Sequence, residues 1–213
     1  MNDRYRFEAA HVSGFIQEFV RYVSHGYRYY VSAEIPAGKD VWSVDRKLVS
    51  GYGIALSRWA RARRKRAGKA NVQYLRHGRF FVLVATPGAH VFFEREKFFD
   101  IRERALHYGG YEVRSVLGPS GKWHASVQIA DDQYRRLRAH VEELAGRVSY
   151  GEMVRELSTL PFEPWAPVAT QFRALRGVAN RTRREAGISG EVPLTSLRLQ
   201  RKSIRAFVEE EGT

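Results

Sequence analysis

The sequence predicts an α+β protein: a ferredoxin-like βαββ core extended by a second β-hairpin, followed by a helical, basic C-terminal appendage. Three observations lead there. Apolar residues recur at helical spacing from Val12 to Val23, and the next stretch, YRYYVSAEIP, is rich in β-formers and closed by proline. A long amphipathic stretch then precedes two β-rich arms that meet at His77-Gly78. Finally, PFEPWAP holds three prolines in seven residues and sets apart one last amphipathic stretch.

Each element has its own warrant. Residues 11–25 read as a helix because Val12, Phe15, Ile16, Phe19, Val20 and Val23 fall on one face, with Gly26 as the stop. Residues 27–36 form the first strand. Asp40 or Ser43 caps a long helix to about residue 66, with Val44, Leu48, Tyr52, Ala55, Leu56 and Trp59 inward and Gly68 at its end. Arg58, Arg61 and Lys65 share a different face, three and four residues apart. The first hairpin joins residues 71–77 to 79–86. Its second arm, FFVLVA, is apolar on both faces and belongs in the middle of a covered sheet. The helices of the core are expected on one face.

Residues 90–93, HVFF, read as a short strand before a charged turn. A second hairpin joins residues 106–117 to 122–130 through Gly118-Pro119-Ser120-Gly121. Asp131 or Asp132 caps a helix to about residue 148, with Tyr134, Leu137, Val141 and Leu144 inward. Ser149 and Glu152 have the spacing of a capping box for the next helix. The proline segment then sets the boundary between an α+β domain at 1–160 and a helical, basic appendage at 161–213. In the appendage Val168, Phe172, Leu175, Val178 and Ala179 define a helix stopped by Gly187. The tail beyond it is a strand, a short helix or an arm that orders on binding.

Composition bounds the function. Of 213 residues, 44% are apolar and 28% charged, enough for a buried core. No apolar run reaches the roughly 18 residues of a membrane span. The opening MNDRYRFEAAH lacks the apolar stretch of a secretory signal, so a cytoplasmic protein is expected. Cysteine is absent, which excludes disulfides, thiolate zinc sites and cysteine nucleophiles. The net charge is +13. Nine basic residues and no acidic one lie between Arg58 and Arg79, and nine more, against Glu185 and Glu191, lie between Trp165 and Arg205. A surplus concentrated in two strips, mostly of Arg, points to a polyanionic partner and suits bidentate phosphate contacts.

The stretch ANVQYLRHGRFFVLVATPG follows a basic helix and lies one strand downstream of YRYYVSAEIP. This arrangement resembles the HUH (His-hydrophobic-His) single-tyrosine transposases and their relatives. In that family a first strand and helix precede a hairpin whose second arm carries paired metal-binding histidines and ends in proline. The likeness covers about 60 residues and rests on strand order and hydrophobic pattern. Where the family has its histidine pair, this sequence has Arg79, Phe80 and Phe81. The resemblance therefore implies nucleic acid held on a sheet, without the metal-assisted strand transfer.

None of the seven histidines stands at metal-ligand spacing, and no metal or other cofactor is assigned. The candidate phosphate ligands are Arg58, Arg61, Arg64, Lys65, Lys69, Arg76 and Arg79 in the first strip and Arg181, Arg184, Arg198 and Lys202 in the second. Tyr30, Tyr74 and Trp123 are the candidates for stacking on bases. The favoured reading is a non-enzymatic protein that binds single-stranded or structured RNA or DNA, with further protein subunits in a nucleoprotein assembly or mobile-element system and no membrane partner. The alternatives are an endonuclease, of metal-independent RNA-processing or degenerate HUH type with His77 as its catalytic residue, and a basic module for an acidic protein.

Overall fold

The computed structural model describes residues 5–201 and 204–207. The chain divides into two compact units, one of residues 5–106, 114–125 and 204–207, the other of residues 107–113 and 126–201. Helices and two antiparallel sheets make it an α+β protein. No helix among the described residues is long and apolar enough to cross a membrane. The division does not fall at the proline segment, because residues 161–167 lie inside the second unit. There the Phe162 ring stands edge-on to Tyr111 at 5.1 Å, and the Glu163 amide donates to the Tyr111 hydroxyl at 2.6 Å.

In the first unit β1 (Tyr29–Glu34), β2 (Val72–His77), β3 (Phe80–Ala85) and β4 (Phe99–Asp100) form one sheet in the order β2-β3-β1-β4. The apolar β3 is interior, as its sequence requires. Register gives the sheet two distinct ends. At one, Val72, Ala85, Tyr29 and Asp100 stand side by side; at the other are His77, Phe80 and Glu34. Helix α1 (Val12–Ser24) buries Phe15, Ile16, Phe19 and Tyr22, with Phe15 meeting Phe80 at 5.6 Å and Phe19 meeting Tyr30 at 6.2 Å. Alternation along the strands sends Val72, Tyr74, Leu83 and Ala85 to the opposite face, where they join Tyr52, Ile54 and Phe92 in a second core. Both faces are therefore covered, not the single face expected, because strands apolar on both sides must be closed on both.

The long helix expected to residue 66 is two helices, α2 (Val41–Gly51) capped by Asp40 and α3 (Arg58–Arg66) capped by Ser57. Gly53, at φ +57°, turns the chain between them. The break admits Tyr52 and Ile54 to the core. Trp59, inward on an unbroken stripe, is instead 78% exposed. The expected strand at 90–93 is also absent. His90 Nδ1 accepts the Phe92 amide at 3.0 Å, removing a donor that a ladder would need, and α4 (Phe92–Arg95) begins there.

Buried charge fastens α2 to β2. Asp45, 1% exposed, accepts from the Tyr74 hydroxyl at 2.5 Å and from Arg76 Nε at 3.1 Å. Arg76 also pairs with Glu8 at 2.9 Å and donates to the Gly78 carbonyl at 2.7 Å. Burial, reinforced by the Asp45 carboxylate, holds the Tyr74 phenol well above its ordinary pKa. The Tyr5 hydroxyl accepts the Tyr74 amide at 2.7 Å and donates to the Tyr74 carbonyl at 2.6 Å, while Glu8 bridges to Arg76 in parallel.

Strands β5 (Leu106–Tyr108), β6 (Tyr111–Leu117) and β7 (Trp123–Ile129) make the second sheet, and the first arm of the expected hairpin is itself folded at Gly109-Gly110. In the second unit α5 (Asp131–Ala145), α6 (Tyr150–Ser158) and α7 (Ala166–Glu185) bury Val141, Met153, Leu157, Phe172 and Leu175. Helix α5 starts without a side-chain cap, one residue earlier than an aspartate cap would allow; the Ser149–Glu152 capping box of α6 is formed. Arg183 is fully buried and donates to the carbonyls of Val148 at 3.0 Å and of Ser189 and Gly190 at 3.3 Å.

Removing the Asp45 carboxylate leaves Arg76 buried without its internal counter-ion. Asp45→Ala is expected to cost about 3–5 kcal/mol, read as a lower midpoint in urea unfolding. An unchanged midpoint would show that this pair does not hold α2 in place.

Candidate nucleic-acid interface

Helix α3, RWARARRKR, contains no acid, and no acidic residue occurs between Asp45 and Glu94. Its two sides differ. Arg61 is half-buried, donates to the Leu56 carbonyl, and offers its own carbonyl to Asn71 Nδ2 at 3.0 Å. Arg64 is half-buried too, its Nε shielded from solvent. These two expected phosphate ligands face the protein. Arg58, Arg63, Lys65 and Arg66 are exposed, as is Lys69 just beyond the helix. Among the described residues none of these five cations has an ion pair. Trp59, Arg63 and Arg66 follow at spacings of four and three and so share a stripe. None of the three stood among the expected ligands, and the sequence signal that would have placed them is the Gly51-Tyr52-Gly53 break followed by a Ser57 cap.

The other expected residues of the first strip lie elsewhere. Arg76 is buried on Asp45, and Arg79 donates to the carbonyls of Ile35 at 2.7 Å and Lys39 at 2.8 Å, and to that of Pro36. Both therefore hold backbone or carboxylate rather than facing a ligand. With His77 they occupy the end of the sheet remote from Val72, where the chain enters from α3. A six-residue strand separates the ends by about 17 Å. His77 is half-buried, and its pKa is lowered by burial and by the charge of His11. Two stacking candidates are also core residues: Tyr74 is fully buried on Asp45, and Tyr30 donates to the Ala105 carbonyl at 3.0 Å. Among the described residues no His, Asp or Glu cluster has a metal-binding arrangement.

In the second strip the guanidinium groups serve structure more than surface. Arg183 is the buried carbonyl clamp described above. Arg198 pairs with Glu163 at 2.9 Å and caps the Phe162 carbonyl at 2.7 Å, and Arg176 donates to the Val192 carbonyl at 2.6 Å. Arg181 and Arg184 are exposed, Arg184 at 4.0 Å from Glu191. Lys202 lies outside the described residues.

The third stacking candidate, Trp123, is 49% exposed and carries Arg102 over its ring at 5.0 Å. Arg102 and Arg28 both bind Asp100, at 2.8 and 2.7 Å, and Arg28 lies over Tyr29 at 4.9 Å. These residues run from the Val72 end of the sheet to the second hairpin. A groove of about 970 Å³ is lined mainly by apolar residues such as Phe7, Trp42, Val49 and Leu56, with Asp45 and Arg46 of α2 at its wall and no cation of α3. No protein-family model, curated protein or solved structure matches this chain.

His90 links this region to pH. Burial first, and then the charge of Arg64, lowers its pKa below the ordinary 6.5. The folded protein thus binds fewer protons here than the unfolded chain, and the associated stability is complete above about pH 6.5 and is lost as pH falls through the lowered value. His77, shifted the same way, adds to the effect. Urea midpoints are expected to drop on acidification below about pH 6.5, with a shallower dependence in His90→Gln. An identical pH dependence in that variant would remove His90 as a source.

Proposed function

We propose that this chain is a nucleic-acid-binding protein that grips phosphates along the outer side of α3. One observation carries the reading: five exposed cations, Arg58, Arg63, Lys65, Arg66 and Lys69, stand together without a counter-ion among the described residues. Like charges so placed repel one another, and a phosphate backbone replaces that repulsion with charge-assisted hydrogen bonds, bidentate where the donor is Arg. Nine helical residues span about 14 Å, which matches about four phosphates of one strand. Trp59, outward among the cations, adds a flat apolar surface for a base.

The sheet itself is an unsuitable seat, since both of its faces are covered. The order β2-β3-β1-β4, with a helical crossover between β1 and β2, supports a ferredoxin-like core whose second crossover is cut to the single turn of α4. On this reading the protein is a binding subunit of a nucleoprotein assembly, related in architecture to HUH proteins but lacking their metal histidines. His77 takes no part, because it lies at the other end of the sheet from the α3 exit.

Mobility-shift titrations test the assignment. Changing Arg63, Lys65 and Arg66 together to Ala is expected to weaken binding and to flatten the log K against log salt line by about 2 on single strands or about 3 on duplex. Retention of wild-type affinity and slope by a folded triple variant refutes α3 as the phosphate site.

A further inference from the structure

Three rings form a dish at the Val72 end of the sheet. Tyr29 meets Phe93 at 5.2 Å and Phe98 at 5.2 Å, Phe93 meets Phe98 at 5.1 Å, and all three pairs are edge-to-face. Pro87 and Gly88 complete the wall of a concavity of about 240 Å³. Phe98 is its most open ring, 38% exposed. An exposed ring beside two assembled aromatics offers faces and edges against which another flat group can pack.

The dish is joined to the cation stripe by backbone. Gly88 has φ +132°, and a Cβ there would stand 2.7 Å from the Gly68 carbonyl oxygen and the Ala70 amide nitrogen. The chain leaving α3 therefore lies directly on one wall of the dish. Lys69 bridges to Ala89, and the Ala70 amide donates to the Ala89 carbonyl at 3.1 Å. The nearby carboxylates are mostly engaged: Glu96 accepts from the Tyr52 hydroxyl and Asp100 is held by Arg28 and Arg102, while Glu94 is exposed on α4.

Charge decides which flat or soft ligand suits the dish. A cationic guest, such as a methylated ammonium, would enter beside Lys69, and Arg28 already lies over the Tyr29 ring. A neutral base attached to a phosphate chain meets the rings by stacking and the cations by attraction. Duplex DNA keeps its bases stacked inside the helix, so the guest must come from a single strand. Resting on the reading of α3 as a phosphate site, we propose that Tyr29, Phe93 and Phe98 seat one unpaired base of a single-stranded nucleic acid whose backbone follows α3 to Lys69.

The test compares labelled oligo(dA) with a duplex of equal length. Phe98→Leu, which keeps apolar volume but loses the ring, is expected to weaken oligo(dA) binding by about 5- to 150-fold and to leave duplex binding unchanged. Phe98→Trp is expected to restore it. An oligonucleotide carrying 2-aminopurine is expected to show a fluorescence change at saturating wild-type protein that Phe98→Leu abolishes. If folded Phe98→Leu binds oligo(dA) as wild type does, or loses both ligands equally, the dish is not a base seat. In either case, a loss of binding in the Arg63, Lys65 and Arg66 triple variant leaves the α3 reading standing. Wild-type binding by the triple variant as well overturns both.

Discussion

The buried contact between Asp45 and Arg76 is the constraint on which the first unit turns. An arginine inside a sheet needs its charge answered, and Asp45 answers it from α2 while Glu8 does so from the N-terminal segment. That requirement fixes α2 over the β2 face of the sheet. With α2 fixed, Tyr52 and Ile54 fill the space above Val72 and Leu83, and the chain must turn at Gly53 before α3 can start. The outward display of α3 thus follows from a charge buried well away from it.

Local pattern was readable in the sequence where one interaction decided it. The apolar run of β3 could sit only inside a sheet, and Ser149 with Glu152 could only cap a helix. The concentration of charge was equally plain. Which arginines would face water was not, because that depends on how the helix is cut. An unbroken helix over 40–66 puts Trp59 inside and Arg61 outside; the break at Gly53 reverses both. Arg76 and Tyr74 looked like ligands because nothing in the linear order marks Asp45, some thirty positions earlier, as their partner. The aromatic dish is hidden in the linear order for a similar reason, since Tyr29 stands some sixty positions before Phe93 and Phe98.

The sheet register sorts the chemistry into two regions. Arg79 and His77 gather at one end, where the guanidinium of Arg79 ties the hairpin to the Ile35–Lys39 loop. At the other end the α3 exit, Gly88, Tyr29 and Asp100 come together although they are far apart in the chain. Basic composition alone does not separate these ends. The distinction is between arginines whose hydrogen-bonding capacity is spent on carbonyls and carboxylates and those whose capacity remains for a partner.

The pairing of Tyr5 with Tyr74 has a consequence for solution behaviour. β2 is the outermost strand on its side of the sheet, and its free backbone groups would otherwise recruit a strand from another molecule. A phenol that both gives to and takes from the same residue, with Glu8 bridged to Arg76 beside it, occupies that margin without adding a full strand. Residues 5–9 thereby cover the outer edge of β2, and a chain begun at α1 would leave that edge open to pairing with another strand.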